Sequence, residues 1–299
     1  MSLKASYFFI HNPFSGPAKH AQLPKQVAQH FKACDYRFEQ SSSEAHLVEL
    51  AIEARDSYHT IIVVAGGDGT VRLVARHLLN VPNKAIYIIP TGSGNGLARQ
   101  MGYKASITKH IQWLLNPGSL QSIPIQGAFA NEHFFINIAG LGFDAAISKA
   151  FSKNKRRGFL GYALQILKHL PYKPALYSLE YEGKHVTLPA FLIAIANGSE
   201  WGNGAVIAPG AKLSAPRLEV VVVKPLKWYA IPRVLYRIFT GQVKPGADFI
   251  CLNVSEITVT NSYKQPLHLD GDWVPEPHTT WYFGLKGALH ALVPSHEPH

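Results

Sequence analysis

"TIIVVAGGDGTVRLVARHLLN", residues 60–80, decides how the chain folds. Residues 60–66 are apolar and rich in β-branched side chains, the mark of a buried strand. Val71, Val74, Ala75, Leu78 and Leu79 then recur on one helical face. Between the two lie Gly66, Gly67, Asp68, Gly69 and Thr70. Glycine lets main chain come close to a ligand and tolerates positive φ. A strand that ends in such a loop and feeds a helix points free N–H groups outward, and the helix N-terminus adds partial positive charge. That is an anion cradle, at the strand ends where α/β sheets bind ligands. Thr70 can cap the helix or meet a phosphate oxygen. Asp68 would be repelled by phosphates unless a cation lies between them, or unless it orients a hydroxyl. The alternative for Asp68 is a helix cap in a tight turn.

The same alternation extends on both sides. Residues 6–11 and 84–90 read as strands, and 21–34, 45–56, 95–102 and 106–118 as helices. Buried strands separated by helices predict a parallel sheet covered on both faces, a three-layer α/β/α domain. A second loop, "PTGSGNGLAR" (90–99), offers Gly92, Ser93, Gly94 and Asn95; a third, "HNPFSG" (11–16), offers Asn12 and Ser15. Loops on consecutive strands can face one another across a crevice. No G-x-x-x-x-G-K-[ST] occurs, and the G-x-G-x-x-G frames from Gly67 and Gly92 end at Arg72 and Leu97, so neither familiar phosphate-loop fingerprint applies.

Beyond residue 120 strands dominate: 133–140, 175–183, 189–198, 218–225, 256–261 and 279–284, with helical stretches at 161–170 and 228–241. This predicts a mostly antiparallel β-sandwich. The nucleotide-type domain is expected over 1–120 and the β-rich domain over 121–285. Within the latter, "PLHLDGDWVPEPH" (266–278) sets Asp270 and Asp272 around Gly271. Asp-Gly is a turn signal; beside a phosphate cradle, a pair of acids also suits phosphoryl transfer, where a carboxylate accepts a hydroxyl proton.

The net charge of +10 favours an anionic partner. The dense basic run, "SKNKRRG" (152–158), has no nucleic-acid motif beside it, so no nucleic acid is expected. No apolar run reaches a membrane span, and two cysteines, Cys34 and Cys251, suggest neither a disulfide framework nor zinc. The expected setting is cytoplasmic.

Taken together, "NPFSG", "GGDGT", "PTGSGNGLAR", "NIAGLGFDAAI" (137–147), "IANGSEWGNGAVIAPGAKL" (195–213) and "LDGD" (269–272) resemble the catalytic domain of diacylglycerol kinases and related bacterial lipid kinases. Sphingosine and ceramide kinases share that domain; NAD kinases and phosphofructokinases are distant kin. The resemblance implies ATP and Mg²⁺ as co-substrate and cofactor. Asn12, Ser15, Gly66–Thr70 and Gly92–Asn95 would hold ATP, and Asp68 would organise Mg²⁺. A lipid hydroxyl, such as that of diacylglycerol, would be the acceptor at a membrane surface, with a homodimer and a peripheral position at the inner membrane as further expectations. Residues 286–299 would return to the first domain. The family's late acid falls on Asp272, with Asp270 beside it; which of Asp272, Asp270 and Asp68 is the base stays open. Two features depart from the pattern. Asp272 stands where the family has glutamate, and Ala215-Pro216 replaces the "DG" before strand 218–225, so the metal held there in some members is not carried over. A soluble acceptor such as NAD, or lost catalysis, are the alternatives. Residues 226–241 and 152–161 are the candidate lipid-facing stretches. In the first, Ile231, Val234, Leu235, Ile238 and Phe239 share a face, which also suits ordinary core packing.

Overall fold

The computed structural model describes residues 5–16, 22–143, 173–202, 204–261, 267–275 and 278–295. The basic run 152–158 and the expected helix 161–170 lie outside them. The chain divides into two compact units, Met1–Ile125 with Gly287–His299, and Gln126–Lys286. The first division falls inside the strand Leu120–Ala130 and the second inside the last strand, Thr280–Pro294.

In the first unit β1 (Ser6–His11), β2 (Asp35–Gln40), β3 (Ile61–Gly66) and β4 (Ala85–Pro90) pair in parallel in the order β2-β1-β3-β4. His290 and Ala291 of the last strand add a further parallel pairing beside β4. Every residue of β1 and β3 is buried, which is why both read as apolar runs rather than as alternating patterns. α1 (Leu23–His30), α2 (Glu44–Asp56), α3 (Asp68–Leu78), α4 (Gly96–Gln100) and α5 (Ile107–Leu115) fill the connections. Right-handed crossovers put α1 on one face of the sheet and α2 and α3 on the other. Accordingly α1 packs with α5, and α2 with α3. Ser43 and Ser106 cap α2 and α5, their hydroxyls accepting the N–H groups of His46 and Lys109.

β2 is a strand that the sequence reading does not predict. "DYRFEQ" alternates exposed and half-buried positions at the outer edge of the sheet, so it carries no apolar run. Its position matters for the site. The strand order reverses at β1 and β3, with β2 on one side and β4 on the other. The connections leaving β1 and β3 run to opposite faces of the sheet, and this switch point is where α/β sheets bind ligands.

The second unit is a β-sandwich. One antiparallel sheet runs in the order Phe249–Val254, Leu218–Val223, Leu192–Ala196, Ile138–Gly142, Leu267–Leu269, Asp272–Val274. The other pairs Lys184–Ala190, Ala175–Tyr181, Glu256–Asn261 and the first half of the last strand. Val220 and Val222 face the sandwich core with Leu179, Val259 and Phe283, whereas Val221 and Val223 pack under the helix Ile231–Phe239 with Val234 and Ile238. Both faces of that strand are covered, hence "LEVVVV". Two predicted strands divide: 133–140 into His133–Phe135 and Ile138–Gly142, and 189–198 into the end of Lys184–Ala190 and Leu192–Ala196. Leu120–Ala130 and Phe249–Val254 are strands not predicted at all. The helix expected at 228–241 is a 3₁₀ turn, Trp228–Ala230, followed by Ile231–Phe239.

Candidate functional site

The three loops at the carboxyl ends of β1, β3 and β4 are tied to one another by main chain and small side chains. Asn12 follows β1. Its N–H donates to the carbonyl of Ala65, and its Nδ2 donates to Thr70 Oγ1 at 2.9 Å. Its Oδ1 accepts the N–H of Phe14. Asn12 and Thr70, both expected to meet a ligand directly, thus also fasten the first loop to the start of α3 across the switch point.

The glycines divide into two kinds. A Cβ on Gly92 would lie 2.5 Å from the Cα of Gly67, and one on Gly66 2.4 Å from the Cβ of Thr70. Gly16, at φ +73°, would place a Cβ 1.8 Å from the carbonyl oxygen of Thr91. Gly92 and Gly16 need glycine because loop packs on loop, and Gly66 because its own turn folds Thr70 back against it, before any ligand arrives. A Cβ on Gly67 would also come within 3.2 Å of Ser15 Oγ, so Ser15 borders the same contact. Gly94 is different: the nearest atom to a Cβ there is Asp68 Oδ2 at 3.5 Å, an ordinary contact. Ser93 is exposed and Gly69 half-buried in the first turn of α3.

Asp68 bridges two loops. Its Oδ2 accepts the N–H of Gly96 and its Oδ1 that of Leu97, each at 3.2 Å, so it caps the start of α4 and not its own helix. α3 has Gly67 at its N-cap, with no side-chain cap bond. Asn95 takes the left-handed conformation, φ 49°, tolerable for asparagine. Its Nδ2 donates to the carbonyl of Gly92 at 2.7 Å, while its buried Oδ1 has no hydrogen-bond partner. Thr91 Oγ1, fully buried, has none either. Buried polar atoms left unpaired are costly, and here two of them lie in the same loop. Sequence reasoning passed over Thr91, because a threonine between proline and glycine carries no signal of its own.

In the second unit Asp270 and Gly271 occupy the centre of a two-residue hairpin between Leu267–Leu269 and Asp272–Val274. Both have positive φ, 52° and 89°, as a type I′ turn demands. The Asp270 carboxylate then reaches back to strand-start main chain: Oδ2 accepts the N–H of Ile136, and Oδ1 accepts those of Asn137 and Ile138, at 2.9–3.0 Å. This breaks the stretch read as strand 133–140 in two. Asn137 Nδ2 donates to the carbonyl of Glu200, and Asn197 Nδ2 to those of Ile136 and Gln126. Three of the motif segments, around Asn137, Asn197 and Asp270, therefore meet in one hydrogen-bonded knot, a role that no single segment reveals. Asp272, one residue past the turn, is exposed.

Among the described residues no cluster of three or more His, Cys, Asp or Glu could by itself cage a metal. The donor set fits a Mg²⁺ that takes one carboxylate and brings its other oxygens from phosphates and water. The main-chain N–H groups of the glycine loops fit a polyanion, and the Thr91 hydroxyl can donate as well, whereas the orphaned Asn95 Oδ1 can only accept. Where the "DG" is replaced, the chain makes a turn in which the Ala215 N–H donates to the carbonyl of Lys212.

Residues 6–123 match the diacylglycerol kinase catalytic domain, and residues 137–284 match the YegS C-terminal NAD kinase beta sandwich-like domain. A diacylglycerol kinase of Bacillus subtilis (strain 168) is 28% identical over 273 residues, covering 88% of each chain. A protein named probable lipid kinase YegS-like from Chromohalobacter salexigens is 28% identical over 232 residues, 75% of this chain and 73% of that one. A crystal structure of a diacylglycerol kinase from Bacillus anthracis str. Sterne superposes with a TM-score of 0.74 at 19% identity, covering 98% of both chains. A second crystal structure from that organism reaches 0.81 at 20% identity with the same coverage. At that identity the superpositions establish the fold.

Proposed function

The chain belongs to the diacylglycerol kinase catalytic-domain family of lipid kinases, and from that premise we propose that it transfers the γ-phosphoryl group of Mg²⁺-ATP to the hydroxyl of diacylglycerol or a closely related lipid. The observation that carries this reading is the main-chain cradle at the β1/β3 switch point. The N–H groups around Gly67–Gly69 and Ser93–Gly94 bind phosphate oxygens, with Asn12 and Ser15 at the rim. Asp68 keeps the two loops in register and presents the carboxylate edge that a phosphate-bound Mg²⁺ would share. When bound, that ion neutralises charge on the phosphates.

Asp272 takes the proton from the lipid hydroxyl. Asp270 positions it: with three N–H groups on its own carboxylate, Asp270 holds the hairpin from which Asp272 projects. A lipid acceptor is supported by an apolar cleft in the second unit, under the helix Ile231–Phe239, with a cavity volume of about 50 Å³. Phe143, Phe191, Leu192, Trp201, Val234 and Phe239 are among its walls. The support lies in the apolar character of these walls, which suits part of an acyl chain.

The test is incubation with γ-labelled ATP and Mg²⁺ in separate arms with mixed-micelle diacylglycerol, sphingosine and NAD. Label entering the organic phase in the diacylglycerol arm is the expected result. Label on NAD, or ATP binding without transfer to any acceptor, would overturn the reading.

A further inference from the structure

The apolar stripe of the helix Ile231–Phe239 suits either core packing or a bilayer on sequence grounds. The structure turns that stripe inward: Val234 and Ile238 are buried, and Ile231, Leu235 and Phe239 line the cleft. A second set of side chains is left outside. Trp228 is 79% exposed, Tyr229 60% and Tyr236 63%. Tyr229, Pro232 and Tyr236 recur at helical spacing, so these rings share one side of the segment. Trp228 and Tyr229 lie ring to ring at 6.0 Å, and Lys227 Nζ sits 5.8 Å from the centre of the Tyr229 ring. Phe239 belongs to both sets, exposed at the surface and lining the cleft.

Charge follows the same segment. From Lys224 to Lys244 there are five basic side chains, Lys224, Lys227, Arg233, Arg237 and Lys244, and no acidic one. The next acid, Asp248, is buried, and Arg233 and Arg237 both bind it, at 2.5 and 3.0 Å. That clamp fixes the helix on the sandwich, so the exposed rings stand on a rigid base. Lys227, against the Tyr229 ring, and Lys244, whose carbonyl accepts from Arg237 Nη2, remain exposed.

We infer that residues 224–244 are a docking face for an anionic lipid bilayer, with Trp228, Tyr229 and Tyr236 seated among the headgroups and Lys227 and Lys244 against lipid phosphates. Exposed aromatic rings with a polar edge favour the interface between headgroups and acyl chains. Basic residues beside them add attraction to anionic lipid, and this adds to both affinity and salt dependence. The face borders the cleft through Phe239, so a lipid lifted from the bilayer would enter without crossing water. The inference rests on the lipid-kinase reading for its purpose. Its test does not, because vesicle binding is read without ATP and without turnover.

The full chain is sedimented with vesicles of phosphatidylcholine alone and of phosphatidylcholine mixed with phosphatidylglycerol, at low and high salt. The wild type is expected to bind the anionic vesicles, and salt to release it. Trp228→Ala/Tyr236→Ala and Lys227→Gln/Lys244→Gln should each lower that binding by roughly tenfold or more, with unfolding temperatures unchanged. In parallel, tryptophan emission should shift to the blue on adding anionic vesicles, and Trp228→Phe should remove the shift; this reading holds even if a double variant folds poorly. Equal binding by wild type and both variants, or an unchanged shift in Trp228→Phe, would overturn the inference. So would a concentration-dependent dimer that the aromatic variant abolishes while vesicle binding persists, since the face would then belong to a second copy of the chain.

Discussion

The loops of the first unit and the hairpin of the second are built from the same residue types and use them differently. Around Gly66–Thr70 and Gly92–Asn95, glycines let three loops touch, and main-chain N–H groups are what the loops can offer a ligand. Around Asp270–Asp272 the glycine serves the turn, and the carboxylate of Asp272 is what the hairpin offers. Asp68 and Asp270 nevertheless play parallel parts. Each accepts N–H groups from a distant segment, two at the start of α4 and three at residues 136–138. The comparison teaches that an aspartate in a motif can be architecture, and that the acid left at the surface is the better candidate for chemistry.

If that division is right, Asp272→Asn should lower phosphoryl transfer by about a thousandfold, the contribution of a general base, with no change in the unfolding midpoint. Asp270→Ala should do the reverse in kind. It strands N–H groups that paired with a charge, so chemical denaturation should show a loss of about 3 kcal/mol, and any fall in activity should track the folded fraction. A stable Asp270→Ala variant devoid of activity would erase the distinction between the two acids.

Acid sharpens the contrast between the units. His110 is buried on α5, its Nδ1 bonded to the Tyr87 hydroxyl at 2.8 Å, and burial pushes its pKa down to about 4. Between its ordinary value and 4 the unfolded chain binds a proton that the folded chain refuses. Stability is therefore complete above that window and falls by roughly 3 kcal/mol as pH drops through it. Burial raises the pKa of Glu219, on strand Leu218–Val223, with the N–H groups of Gly210 and Ala211 opposing the shift. That contribution has the opposite sign: the unit loses stability as pH rises above the ordinary carboxyl value and regains it in acid. A pH series of unfolding should thus show the first unit weakening first, and His110→Gln should flatten its slope.

How much of this could be read from sequence depended on whether the cause was local. β1, β3 and β4 were legible because burial on both faces leaves apolar runs, and the Asp270–Gly271 turn because its chemistry is contained in two residues. β2 was not, since an edge strand facing solvent has no such run. The knot of Asn137, Asn197 and Asp270 was visible as three motifs, but not as one structure: its bonds join residues 61 to 134 positions apart. The contact of Gly67 with Gly92 escaped for the same reason, and with it the finding that most of the loop glycines pack against protein.

Gly94 is the exception, and so the sharpest probe of the nucleotide reading. A methyl group there meets nothing closer than 3.5 Å, so Gly94→Ala should change folding stability by less than about 0.5 kcal/mol, the least of these effects on the fold. Calorimetric titration of Mg²⁺-ATP into wild type and Gly94→Ala is the most direct measurement. The account expects tight binding by the wild type and a loss of roughly 100-fold in the variant, the cost of crowding a main-chain contact with phosphate. Equal affinity in the two proteins would contradict it.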